Sequence, residues 1–407
     1  MEEERVFADL HIHSRFSRAC SKDITVENLE KWARVKGIGL LGTGDFTHPL
    51  WLKELKEKLT EKEGILYSES GFKFLLTGEI SLIYTQGKGR RVHLVVLVPS
   101  FKIADKINSY LDTKGRRDYD GRPIFKISCE QFTKDMTEIS EDVEVIPAHI
   151  WTPYFGVFGS ITGFDSLKEA FGEQFGNIHA IETGMSSDPE MNWHLSELNG
   201  KTIVSFSDSH SFWPWRIGRE ATIFEKADSY NDIISAIREN KILGTVETDP
   251  AYGKYHYDGH MAHNFSSSPE ETKKLNGICP ICGKPLTIGV ENRVNEIGDQ
   301  IIEENRNRKK YYTLLPLHEL IAFSKGSTLS SKKTWEVYNF LIGKFENEFN
   351  ILLNVPEEDL IRELKDDFKL VQLILDNREG KIKVKPGYDG KYGEIAGSEG
   401  EKQAKLF

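Results

Sequence analysis

Seven short apolar runs recur along the first half of the chain, at Val6–Leu10, Ile38–Leu41, Phe74–Thr77, Val92–Val98, Val143–Ile146, Ile178–Ile181 and Thr202–Phe206. Between several of them lie segments of helical periodicity, such as the one placing Val26, Leu29 and Ala33 on a single face. Strand–helix alternation repeated this often predicts an α/β domain with a mainly parallel sheet. Seven such strands within about 250 residues predict closure into a β/α barrel.

Each run also carries a metal-type side chain at or beside one end. The first leads into His11-Ile12-His13, whose period-two spacing points both imidazoles to one side. The second leads into Asp45 and His48, the third into Glu79, the fifth into His149, the sixth into Glu182, and the seventh into Asp208 and His210. His93 starts its run instead of ending it. A lone histidine at a strand end is usually a hydrogen-bonded structural residue, so the signal lies in all the runs carrying such a group. In a parallel barrel these groups converge at the C-terminal mouth of the strands. A histidine-rich set with a few carboxylates suits Zn, Mn or Fe, with Mg a candidate for activity. The donors are too many for one tetrahedral ion, which predicts two or three metals. A cluster of that kind activates water and clamps a phosphoryl group during in-line displacement. Metal-dependent hydrolysis is the predicted chemistry.

Composition changes after Asp249-Pro250, where Tyr252, Tyr255, Tyr257, His256, His260 and His263 crowd together before Cys279-Pro-Ile-Cys282-Gly-Lys-Pro. The CxxC turn lets two thiolates reach one ion, and His260 with His263 completes a Cys2His2 set for one structural zinc. Cys20 and Cys129 are expected to be inert. The predicted organisation is a metal-dependent hydrolase domain at 1–253, a zinc-binding module at 254–294, a helical region at 295–397 and a disordered tail at 398–407. The net charge of −10 argues against a generally basic, DNA-coating protein. Local basic clusters at 88–91, 114–117 and 306–310 still allow phosphate contacts. The acidic start shows no signal peptide and no apolar run is long enough for a bilayer, so a cytoplasmic protein without a membrane partner is expected.

His11/His13, Glu79, His93, His149 and Asp208/His210 together resemble the motifs of the PHP (polymerase and histidinol phosphatase) superfamily. That resemblance implies a distorted seven-stranded β/α barrel with a trinuclear metal centre held by these residues. Asp45 or His48 fills the position after the second strand. Ala8–Ser14, Gly42–Pro49, His149–Pro153, Glu182–Gly184, Asp188-Pro189 and Trp193 are similar to the endonuclease Q family. This second resemblance extends over the whole chain and implies the same order of barrel, zinc module and helical region. It implies nicking of DNA on the 5′ side of uracil, hypoxanthine, xanthine and abasic sites, leaving 3′-hydroxyl and 5′-phosphate ends.

On this reading Asp208, His149 and His210 are the catalytic candidates, with loss of Asp208 the most damaging. Enzymes acting at a damaged base need it out of the stack. Trp151, Tyr154, Phe212, Trp213 and Trp215, on loops leaving ligand-bearing strands, are candidates to hold it. Arg216, Arg219, Arg116 and Arg117 are candidates for flanking phosphates. Damaged DNA is the expected partner, a replication or repair clamp a further candidate, and a monomer the expected state. The rival readings are a phosphomonoesterase of the PHP superfamily and a non-catalytic DNA-binding partner.

Overall fold

A computed structural model describes residues 5–302, 308–365 and 367–396. The predicted tail and Arg306-Asn307 of the last basic cluster lie outside these residues. All seven runs contain strands: β1 (Val6–Asp9), β2 (Leu40–Gly42), β3 (Lys73–Gln86), β4 (Lys88–Val98), β5 (Glu144–Pro147), β6 (Ala180–Glu182) and β7 (Thr202–Val204). Among the further strands that were not foreseen are β8 (Ala221–Phe224), β9 (Gly244–Glu247) and β10 (Lys310–Thr313). The last is a strand within the region expected to be helical.

The main sheet runs β10-β9-β8-β1-β2-β3-β4-β5, with short strands Thr60–Lys62, Ile65–Tyr67 and Ile124–Phe125 on the β3 side. It is mixed. β1, β2 and β3 are parallel, whereas β3–β4, β4–β5, β1–β8 and β8–β9 are antiparallel. The turn at Gly87 has φ +71 and allows no crossover, so β3 and β4 must form a hairpin. The sheet does not close into one ladder. β6 and β7 pair separately, in parallel, and a single bridge from Ile12 to Ser209 ties the end of β1 to the segment after β7.

The antiparallel hairpin explains His93. Its Cα partner is Ser81, two residues past Glu79 on β3, so the middle of β4 lies beside the Glu79 stretch of its neighbour.

Helix Val26–Lys36 starts where Thr25 accepts the Asn28 N–H and buries Val26, Leu29 and Ala33, as the periodicity predicted. The C-terminal region contributes helices Leu317–Lys325, Lys332–Phe345, Glu348–Leu353, Glu357–Leu364 and Phe368–Arg378. Their Leu320, Ile321, Tyr338 and Leu341 belong to the same apolar core as Leu41, Phe74 and Val96 of the sheet. No helix among the described residues is long and apolar enough to cross a membrane.

Candidate metal centre

His11 and His13 leave β1 with their rings fixed from behind by carboxylates. His11 Nδ1 lies 2.8 Å from Glu182 Oε1, and the other Glu182 oxygen accepts the His149 backbone N–H at 2.7 Å. Glu182 thereby selects the His11 tautomer that leaves Nε2 with a lone pair. That Nε2 is buried, has no hydrogen-bond partner, and lies 3.6 Å from both Glu79 Oε2 and Asp208 Oδ1. His13 repeats the device. Its Nδ1 faces Asp45 Oδ1 at 3.0 Å, while Nε2 lies 3.0 Å from Asp208 Oδ1 and 3.2 Å from Glu79 Oε2.

Glu79 joins two donor sets. Its Oε2 faces the first set, and its Oε1 lies 2.6 Å from His93 Nδ1 and 3.1 Å from His149 Nε2. The structure therefore gathers His11, His13, Glu79 and Asp208 in one group and Glu79, His93 and His149 in another. Burial raises the Glu79 pKa, but His93, Arg122 and His11 together hold it well below the usual carboxylate range. Asp208 is likewise held low against burial, by His210, His13 and His11. Both carboxylates are thus anionic donors. The donor chemistry and the orphaned His11 nitrogen fit divalent metal at both groups.

Strained backbone aims two of these residues. Asp208 has φ +47 and His149 φ +31. Asp9 holds the first, accepting the Ser207 N–H at 2.9 Å, the Ser207 hydroxyl at 2.5 Å and the Gly218 N–H at 2.8 Å. Beside the second, a Cβ on Gly184 would fall 2.6 Å from that of His149, so only glycine fits there. Thr152 Oγ1, 2.9 Å from His149 Nδ1, fixes that ring.

The remaining predicted ligands stand elsewhere. Asp45 is satisfied by His13, the Ser14 N–H and hydroxyl at 2.6 Å, and the Ser17 hydroxyl at 2.9 Å, so it orients His13 instead of joining a donor group. His48 precedes helix Pro49–Lys58 and stacks on Phe16 at 4.2 Å between centroids, away from both groups. His210 sits at the rim, with its side chain 32% exposed, its ring 4.5 Å from that of His13, and its Nδ1 on the Asp208 carbonyl.

The aromatic candidates divide by burial. Trp151 is fully buried, its Nε1–H donating to Asn192 Oδ1 at 2.8 Å, and Phe212 is buried too. Trp213 and Trp215 stack at 5.4 Å, and both pack against Trp335 of the C-terminal helices. Both rings stay partly exposed while the adjoining helices offer them an apolar partner. Tyr154 alone of the set is substantially exposed, at 38%.

The arginines each have a partner within the chain. Arg116 pairs with Asp118 and Arg117 with Asp112, while Arg219 donates to the Ser207 carbonyl and Arg216 lies over Tyr392. Three functional residues escaped the sequence reading: Glu182 as an orienting group, Asp9, and Arg122, whose Nη1 lies 2.9 Å from Glu79 Oε2. The Glu182 strand end was visible, but Arg122 sits in a loop outside every run.

In the small module His260, Cys279 and Cys282 come together, with His260 Nδ1 3.4 Å from Cys282 Sγ. The His263 ring lies edge-on, 4.7 Å from that of His260. The turn closes through the Gly283 N–H to the Cys279 carbonyl at 2.9 Å. Although burial raises the Cys279 thiol, the Ile281 and Cys282 N–H groups and His260 bring it down to about 7.

An α/β fold with linked histidine–carboxylate groups able to hold metal at its strand ends is the class of a metal-dependent enzyme. The chain aligns over 99% of its length with the crystal structure of the lesion-specific endonuclease PfuEndoQ from Pyrococcus furiosus, over 98% of that chain, with TM-score 0.86 and 30% identity. A crystal structure of endonuclease Q in complex with a 27-mer duplex substrate carrying an abasic lesion at the active site matches with TM-score 0.88 and 30% identity, over 99% of both chains. The chain belongs to the endonuclease Q family. It is 28% identical to the uncharacterized protein YqxK of Bacillus subtilis, over 96% of this chain and 99% of that one. It is 32% identical over 288 residues to the uncharacterized protein MJ0043 of Methanocaldococcus jannaschii, but spans only 35% of that protein's length. Residues 316–381 match the family described as the MJ0043 C-terminal domain.

Proposed function

We propose that this protein is a DNA repair endonuclease that cuts the phosphodiester 5′ to deaminated bases (uracil, hypoxanthine, xanthine) and abasic sites. The observation that carries the reading is the pair of donor groups sharing Glu79, set in a chain that matches lesion-specific endonucleases from end to end. The abasic duplex in one of those structures supports damaged DNA as the substrate class.

His11, His13, Glu79 and Asp208 would hold one metal, and Glu79, His93 and His149 a second. Bound there, the metals supply Lewis-acid charge for in-line phosphoryl displacement and an activated water at neutral pH. The protein's own part is orientation. Glu182 and Asp45 fix the two β1 imidazoles, Thr152 fixes His149, and Asp9 fixes the loop carrying Asp208. His210, half-buried at the rim beside Asp208, is placed to carry a proton between the site and solvent. In the module at 254–294, Cys279, Cys282 and His260 hold one structural zinc, with His263 as the nearest fourth donor.

The test is incubation with duplexes carrying uracil, hypoxanthine, an abasic site or no lesion, with and without chelator, mapping the cut. Chelator-sensitive nicking immediately 5′ to each lesion is expected. Equal cutting of undamaged duplex, or none of any, overturns the reading.

A further inference from the structure

The loop between helix Phe101–Asp112 and the short strand Ile124–Phe125 places one cation against the metal centre. Arg122 Nη1 meets Glu79 Oε2 at 2.9 Å, and no other Arg or Lys among the described residues pairs with a member of either donor group. The loop is built to hold it there. The Arg122 N–H donates to Asp120 Oδ1, the Pro123 carbonyl accepts the Ser81 N–H, and the Gly121 N–H donates to the Phe16 carbonyl. A Cβ on Gly121 would fall 2.1 Å from Asp45 Oδ2, so the loop seats directly on the carboxylate behind His13.

Among the described residues, Nε and Nη2 of Arg122 have no hydrogen-bond partner, and the side chain is 24% exposed. A guanidinium therefore stands at the centre with one nitrogen committed and the rest of its fork open. Metal on the Glu79 oxygens would neutralise the charge that now pairs with it. A fixed cation beside divalent ions is then favoured only with an anion between them. The planar fork matches a phosphate oxyanion in two hydrogen bonds, which a point charge does not reproduce.

We infer that Arg122 grips a phosphate oxygen at the metal centre; as a contact to the DNA strand, this rests on the function proposed above. Arg122 is thereby assigned as a substrate-binding residue, in place of its exposed loop neighbour Arg116.

The test compares the metal-loaded wild type with Arg122→Met and Arg122→Lys, each checked for metal content and Tm. Titration calorimetry with inorganic phosphate is expected to show binding at least tenfold weaker in Arg122→Met. The salt dependence of affinity for a cleavage-resistant lesion duplex should lose about one counterion, a slope change of about 0.9. Nicking should fall about a hundred-fold or more, as when one transition-state donor is removed. A loaded Arg122→Met protein with unchanged phosphate affinity and unchanged salt slope overturns the inference. Should Arg122→Met shed metal, Arg122→Lys decides. It keeps a charge at Glu79 without the fork, so weakened phosphate binding by the loaded variant supports the inference and unchanged binding overturns it. If the wild type neither binds nor nicks lesion duplex, the proposed function fails, while the phosphate titration still reads Arg122.

Discussion

Lys36 Nζ and Glu348 Oε1, 312 positions apart in sequence, form an ion pair of 2.6 Å with both side chains almost wholly removed from solvent. Lys36 ends the first helix and also donates to the Pro214 carbonyl at 3.0 Å, between Trp213 and Trp215. Glu348 further accepts the Leu317 N–H at 2.9 Å and the Tyr338 hydroxyl at 2.8 Å. One buried pair thus joins the sheet domain, the segment after His210 and the C-terminal helices.

Removing one partner would leave the other charge buried and uncompensated, which costs about 3–5 kcal/mol. Lys36→Met is expected to lose stability of that order by chemical denaturation. The double replacement Lys36→Met/Glu348→Leu should lose clearly less, because no orphaned charge remains. Equal losses in the single and double variants would show that packing, not charge, is what the pair contributes.

Glu182 makes no contact with solvent and holds both the His11 ring and the His149 backbone. Loss of such an orienting carboxylate typically lowers metal affinity about 10–100-fold. Glu182→Gln keeps the volume and removes the charge. Chelator competition should reveal the weaker binding, read on variant protein shown by circular dichroism to be folded. Wild-type affinity in this variant would remove the orienting role.

The strands carrying the site were legible because β-branched runs and ligand-type residues are both local signals. The hairpin was not. From Phe74 to Leu82 every residue of β3 is buried, polar Glu79 and Ser81 included, so alternation appears only in the last residues before Gln86. β8 and β9 span four residues each, too short to show a period. Residue type also could not say which shell a carboxylate occupies. Asp45 and Glu79 are equally plausible ligands in sequence, and only the serines around Asp45 and the imidazoles around Glu79 separate them. Likewise, nothing local in the sequence shows that the tryptophans after His210 meet Trp335, far along the chain.

Glu220 and Glu247 form a buried carboxylate pair behind the site, both reached by the Ser205 hydroxyl, at 3.3 and 3.0 Å. Burial raises Glu220 to about 8, outweighing Arg219, and raises Glu247 well above the usual range with Glu220 adding to it. The folded state therefore binds protons more tightly than the unfolded chain. Their stability contribution is full below the ordinary carboxylate range and is lost as pH rises through about 8. Between pH 6 and pH 9 the wild-type Tm should fall, and Glu220→Gln, which keeps the site neutral, should flatten that fall. A variant profile parallel to the wild type would show that this pair does not govern it.

Between residues 254 and 289 the buried hydrophobic side chains among the described residues are Cys279 and Leu286 alone. So small an apolar core contributes little to holding the hairpin of Asp258–His260 and Phe265–Ser267, which makes the proposed zinc the test of what holds it. Cys279→Ser is expected to remove one zinc equivalent and to open this segment to limited proteolysis, with the metal at the Glu79 groups retained. The two metal populations separate further in acid. Both thiols must lose their protons to bind, so zinc should leave the module as pH falls. Unchanged zinc content in Cys279→Ser, measured by elemental analysis after exhaustive dialysis, would reject the zinc assignment and leave the module's cohesion to contacts such as the bridge from Tyr257 to Tyr388.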